Sequence, residues 1–158
     1  MISGSIPHTI GNATNLEEVI LSRNRFNGSI PSSIWKLDLL KHLHLDQNQL
    51  TGSIHVSKSN RAKTGRNTTR DAKDDNHKRI RYGLKSFVLK QNLLVGSIPD
   101  SIVNLGRIGN IDLSNNRITG TIPSTIGDIR RLESLDLSSM KLTGTVPSNI
   151  ANMQRLQH

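Results

Sequence analysis

The sequence predicts an α/β solenoid, a stack of 24-residue coils each carrying one short parallel β-strand, and three observations lead there. The segment L-x-G-x-I-P, or a near copy, occurs six times, and most copies lie 24 residues apart. A second pattern, L-x-x-L-x-L-x-x-N, stands upstream of five of them. Only 34% of the 158 residues are apolar, and nearly all of those fall on the two patterns. A fixed period of this size marks a chain whose units bury their apolar faces against their neighbours rather than in one central core.

The turn halves read Ile2 to Pro7, Phe26 to Pro31, Leu50 to His55, Leu94 to Pro99, Ile118 to Pro123 and Leu142 to Pro147. In each, glycine permits a left-handed or close backbone approach, and proline presets the turn away from the strand. The strand halves place Leu16, Val19 and Leu21 before Asn24, then Leu40, Leu43 and Leu45 before Asn48. They continue with Leu84, Phe87 and Leu89 before Asn92, Ile108, Ile111 and Leu113 before Asn116, and Leu132, Leu135 and Leu137 before Met140. Apolar residues at alternate positions give a strand with one buried face, predicted near residues 18–22, 42–46, 86–90, 110–114 and 134–138. Asn24, Asn48, Asn92 and Asn116 then form a buried ladder whose amides satisfy backbone groups of adjacent coils, each worth ~1–3 kcal/mol if left unpaired. Met140 interrupts that ladder.

These motifs are the leucine-rich repeat pattern, and the Gly-x-Ile-Pro form resembles the plant-type repeats of receptor-like kinase and receptor-like protein ectodomains. The resemblance covers residues 1–55 and 84–158. It implies a right-handed, arc-shaped solenoid outside the cell, acting in signalling or defence, whose inner face binds a protein or peptide ligand, with a coreceptor ectodomain as a further partner. Membrane attachment would come only through other parts of a parent receptor. Chains of this class are expected to begin with a signal peptide and cap and to carry terminal cysteine pairs. Here there is no cysteine, Met1 falls inside a repeat, and Met153 and Leu156 begin a further coil. The chain therefore reads as an interior piece of a longer receptor or as a truncated, non-functional gene product.

No run approaches the 18 apolar residues of a membrane span, and no signal-peptide pattern is present. Nor is there a cysteine nucleophile, a Gly-x-Ser-x-Gly elbow, a phosphate-cradling glycine loop or a kinase motif, so the reading is of a non-enzymatic scaffold with no cofactor.

One interval breaks the period, since Leu40 and Leu84 are 44 residues apart, one repeat plus 20. Residues 56–83 hold nine lysines and arginines against three aspartates, two thirds of the chain's net charge of +9. So few apolar residues do not offset ordering entropy of ~1–2 kcal/mol per residue, and the stretch is expected to be a disordered basic insertion. Three roles are open to it: a solvated insertion without function, an island helping to form a ligand site as in some receptors of the resembled class, or a polyanion-binding element. Tyr82 is the only aromatic in the run, which speaks against specific nucleic-acid binding.

Strand residues between the buried ones form columns on the inner face. One column holds Glu18, His42, Ser86, Asn110 and Ser134, and the next holds Ile20, His44, Val88, Asp112 and Asp136. A third holds Ser22, Asp46, Lys90, Ser114 and Ser138, with Arg23, Gln47, Gln91, Asn115 and Ser139 beside it. Small polar residues mixed with exposed Ile20 and Val88 suit an extended peptide or protein loop. His42 and His44 are the only metal candidates, and Asp46, ~13 Å from His42 along a strand, is too far to join them. Asn12, Asn27 and Asn67 head Asn-x-Ser/Thr triplets and are candidate glycosylation sites.

Overall fold

A computed structural model describes residues 1–57, 83–105 and 107–157. The five predicted strand halves form one parallel sheet in the order β2–β4–β6–β7–β9, with β2 Glu18–Ile20, β4 His42–His44, β6 Ser86–Val88, β7 Asn110–Asp112 and β9 Ser134–Asp136. Register is fixed by the repeat: Val19, Leu43, Phe87, Ile111 and Leu135 are successive partners. Each strand is shorter than the five residues expected. The ladder continues nonetheless, with Leu21 N–H donating to His44 O and Arg23 N–H to Asp46 O, both at 2.9 Å.

The extended run ends because the residue just past each predicted strand turns left-handed. Arg23, Gln47, Gln91, Asn115 and Ser139 have φ of 58°, 55°, 53°, 54° and 53°. This conformation costs a residue with a β-carbon about 1–2 kcal/mol and persists only where neighbouring coils impose it.

Five of the six turn halves add a second strand that the single-strand pattern does not reveal, while Leu94 to Pro99 contributes only the isolated bridge of Val95 to Ser53. β1 Ser3–Ser5, β3 Arg25–Ser29 and β5 Gln49–Thr51 make a second parallel sheet, and β8 Thr119–Gly120 pairs with β10 Lys141–Leu142. The motif glycines make this stacking feasible. Gly144 sits at φ +81°, and a β-carbon there would lie 3.0 Å from Thr121 Cγ2.

Among the described residues, the turn halves that end in proline each lead into a short 3-10 turn: His8–Asn12, Ser32–Lys36, Asp100–Leu105, Ser124–Asp128 and Ser148–Asn152. Proline supplies an extended residue whose carbonyl accepts from the N–H three residues on, as Ile34 N–H to Pro31 O at 3.0 Å. The isoleucines at that position, Ile34, Ile102 and Ile126, are fully buried. The core is thus a set of apolar columns running along the stack, and Leu43, Leu45, Phe87, Leu89, Ile111 and Leu113 are inaccessible at its centre.

The asparagine ladder exists, graded by position. Asn92 and Asn116 are buried, while Asn24 and Asn48, nearer the end of the stack, are half-buried rather than buried as expected. Asn92 Oδ1 accepts from Leu50 N–H at 2.9 Å, and its Nδ2 donates to Leu45 O and Leu89 O at 3.0 Å each. Asn48 and Asn116 repeat the scheme with Phe26 and Leu94 as donors and Leu21 and Leu89 as cross-coil acceptors.

The basic stretch expected to be disordered falls almost wholly on residues 58–82, outside the described residues. Its first residue, Val56, packs in the core instead. On either side the coils stack directly, since β4 pairs with β6 and Leu93 N–H donates to Leu50 O at 2.9 Å. Beside this junction an apolar cleft of about 110 Å³ lies between the turns Ser32–Lys36 and Asp100–Leu105, lined by Ile34, Leu37, Val56, Leu84 and Leu105. Trp35 spans the junction, its ring edge-on to Phe87 at 6.0 Å.

Candidate functional site

The five-stranded sheet brings the three predicted columns together in register, Glu18 beside His42, Ser86, Asn110 and Ser134. Glu18, Ile20, Ser134 and Ser138 are exposed, whereas Ser22, His42, His44, Ser86, Lys90, Asn110, Asp112 and Asp136 are half-buried. Three expected surface positions are not open. Val88 is 9% exposed, Asp46 9% and Ser114 2%. Val88 is flanked in register by His44 and Asp112, which cover a small side chain between them. Ile20, at the sheet's first strand with a neighbour on one side only, stays 56% exposed. Arg23, Gln47, Gln91, Asn115 and Ser139 lie at the left-handed turn leading off the sheet rather than along its strands.

The polar side chains of the face are tied to each other. Ser22 Oγ donates to Asp46 Oδ1 across one coil step, and His44 Nε2 lies 2.8 Å from Ser86 Oγ, which also accepts from Asn110 Nδ2 at 3.2 Å. Ser114 N–H and Oγ both donate to Asp112 Oδ1, at 3.1 and 2.6 Å, and Lys90 Nζ stands 3.5 Å from Asp112 Oδ2. The Asp136 carboxyl is held below the ordinary range first by the Ser138 hydroxyl and the Ser138 N–H, opposed by slight burial and aided by Ser114 and the Lys90 charge. Side chains held this way lose less freedom when a ligand lands on them. His42 and His44 meet edge-on at 5.9 Å, and among the described residues no group of three or more metal-ligating side chains exists.

Asn12 ends the first 3-10 turn and Asn27 lies on β3; both are exposed and off the five-stranded sheet, while Asn67 lies outside the described residues. No helix among the described residues is long and apolar enough to cross a membrane. One charged feature escaped the strand-column pattern. Arg107, Arg131 and Arg155 recur every 24 residues, each just before the first apolar residue of a strand half, and all are exposed. Their spacing was the signal, but it lies outside the motif positions.

The leucine-rich repeat family model matches residues 15–37, 108–129 and 131–153. A search of curated protein sequences finds no match. Among solved structures, the Arabidopsis thaliana leucine-rich repeat ectodomain of the membrane receptor kinase GASSHO1/SCHENGEN3, in complex with Casparian strip integrity factor 2, superposes with a TM-score of 0.79 and 33% identity over 98% of this chain. The Arabidopsis receptor kinase HAESA, in complex with the peptide hormone IDA and the co-receptor SERK1, gives 0.78 and 28% over 99%. The Arabidopsis BIR3–SERK2 complex gives 0.65 and 30% over 84% of this chain and 61% of the matched one. The chain spans 16% of the GASSHO1 ectodomain and 23% of that of HAESA. The molecule is a leucine-rich repeat solenoid. Within that class its structure is like those of plant receptor kinase ectodomains.

Proposed function

We propose that this chain is a non-enzymatic recognition module whose sheet face takes an extended peptide or a protein loop, within an extracellular plant receptor of signalling or defence. The observation that carries the reading is the face itself: five parallel strands in register, with interlocked polar side chains and one exposed apolar anchor, Ile20. The similar ectodomains of GASSHO1/SCHENGEN3 and HAESA are in complex with Casparian strip integrity factor 2 and the hormone IDA, and HAESA also with SERK1, which supports a peptide ligand and a coreceptor as the partners. Exposed Asn12 and Asn27 would carry glycans without covering the sheet.

The test is to select binders for the chain from a displayed peptide library. Selected peptides should bind Ile20→Asp and Asp136→Lys variants at least roughly tenfold more weakly, as expected when an anchor residue is lost. A variant at exposed Arg117, which follows the ladder asparagine and lies off the face, should bind them unchanged. Equal binding by all variants, or binding that vanishes only when the basic residues of 58–82 are replaced, would transfer the site to that stretch and favour polyanion binding.

A further inference from the structure

The C-terminal coils carry a basic edge separate from the sheet face. Arg107, Arg131 and Arg155 occupy equivalent places in successive coils, and Arg130 sits beside Arg131 in the same turn. The turn that ends the 3-10 segment fixes the backbone here: Arg107 N–H donates to Leu105 O and Arg130 N–H to Asp128 O, while Ile108 and Leu132, which follow Arg107 and Arg131, are buried in the core. Equivalent residues of adjacent parallel strands are ~4.8 Å apart, so the backbone sets Arg107, Arg131 and Arg155 one coil step from each other along the stack. Arg155 makes a loose pair with Glu133 at 3.9 Å. Among the described residues Arg107, Arg130 and Arg131 have no ion-pair partner. The corresponding residues of the first two coils, Asn15 and Leu39, are uncharged, and the charges nearby, Glu17 and Lys41, neutralise each other.

Arginines set one coil step apart on a repeating backbone, most of them without an ion-pair partner, are a surface suited to carboxylates, which the planar guanidinium grips through two parallel hydrogen bonds. Two anions, Glu133 and Asp128, are interspersed among the four arginines. A uniformly charged polyanion meets repulsion at both. A protein surface that is net acidic but carries a few cations of its own complements all six positions, and complementarity of this kind sets both encounter rate and partner choice. We propose that this edge is a second docking surface, for a net-acidic, mixed-charge face of another protein, used independently of the sheet face.

The experiment measures binding of the full chain to two synthetic peptides of equal net negative charge by fluorescence anisotropy, at low and at physiological salt. One peptide carries only glutamates as charged residues, and the other carries glutamates and lysines. The mixed peptide should bind more tightly, and the triple change R107E/R131E/R155E should weaken it by roughly tenfold or more. Glu133→Gln should narrow the gap between the peptides. Replacing the lysines and arginines of residues 58–82 by glutamine should leave mixed-peptide binding intact. Circular dichroism checks folding, and if the triple variant is unfolded, Arg131→Gln alone should still give a partial loss. Equal or tighter binding of the all-glutamate peptide, no binding of either, or loss confined to the variant of 58–82 overturns the proposal.

Discussion

The coil that ends in Asn92 and the coil that ends in Met140 share one pattern and one length, yet they are closed to very different degrees. In the first, Leu89 and Leu94 are fully buried and the amide closes hydrogen bonds to two coils. In the second, Leu137 and Leu142 remain half-exposed and a thioether stands where the amide belongs. The difference comes from what each coil has beside it. A repeat of this kind contributes little alone, and its neighbours and the ladder supply most of its stability.

Truncation at the centre should have the largest effect. Phe87→Ala, at a fully buried residue packed against Trp35, should cost about 3–5 kcal/mol in urea unfolding, whereas Leu135→Ala at the same register position in the last strand should cost less than half of that. Equal losses would mean that burial does not grade along the stack. Next comes the ladder. Asn92→Ala strands Leu50 N–H and three carbonyls and should cost about 2–3 kcal/mol; Asn24→Ala, where the amide accepts from Ile2 N–H of the preceding coil but donates only to Leu21 O and Ser22 O of its own, should cost about 1 kcal/mol.

Repairing the weaker coil works in the opposite direction. By the spacing of the other rungs, an asparagine at Met140 would accept from Ile118 N–H and donate to Leu113 O. Met140→Asn should therefore stabilise the C-terminal coils by about 1 kcal/mol, read as slower amide exchange there. Relief of the left-handed residue comes next: Ser139→Gly at φ 53° should raise stability by about 0.5 kcal/mol. The change at Gln91, with the same angle, should match it.

The smallest effect is a pH dependence. Asp136 has a carboxyl held below its ordinary value of 3.8, chiefly by the Ser138 hydroxyl and N–H. A depressed folded value contributes stability that is present above the unfolded value and lost as pH falls through the folded one. Acid unfolding below about pH 4 should thus be slightly shallower in Asp136→Asn than in the parent chain.

The sheet, its register and the rungs of the ladder were legible because they rest on local chemistry repeated every 24 residues: alternate apolar positions, an amide at the turn, a glycine and a proline. The second strands were not, since β1 and β8 contain residues such as Ser3, Ser5 and Thr119 that have no apolar alternation and are extended only because a neighbouring coil pairs with them. Alternation also predicts which way a side chain points but not what covers it. Val88 and Ser114 point to the sheet face as expected, and are nevertheless shielded by neighbours on adjacent strands. The left-handed angles at Arg23 and Gln47 belong to residue types that carry no turn preference, so nothing in the sequence announced them.

The pairing of β4 with β6 across 44 residues, where every other step of that sheet spans 24, also bears on how the chain folds. Closing the longer segment costs only about 0.5 kcal/mol more in chain entropy, too little to unseat the finished stack. Kinetically it is the one step that a growing nucleus cannot take through local contacts. Propagation from either end should pause there, so that the N-terminal and C-terminal coils form first as two separate blocks and join last.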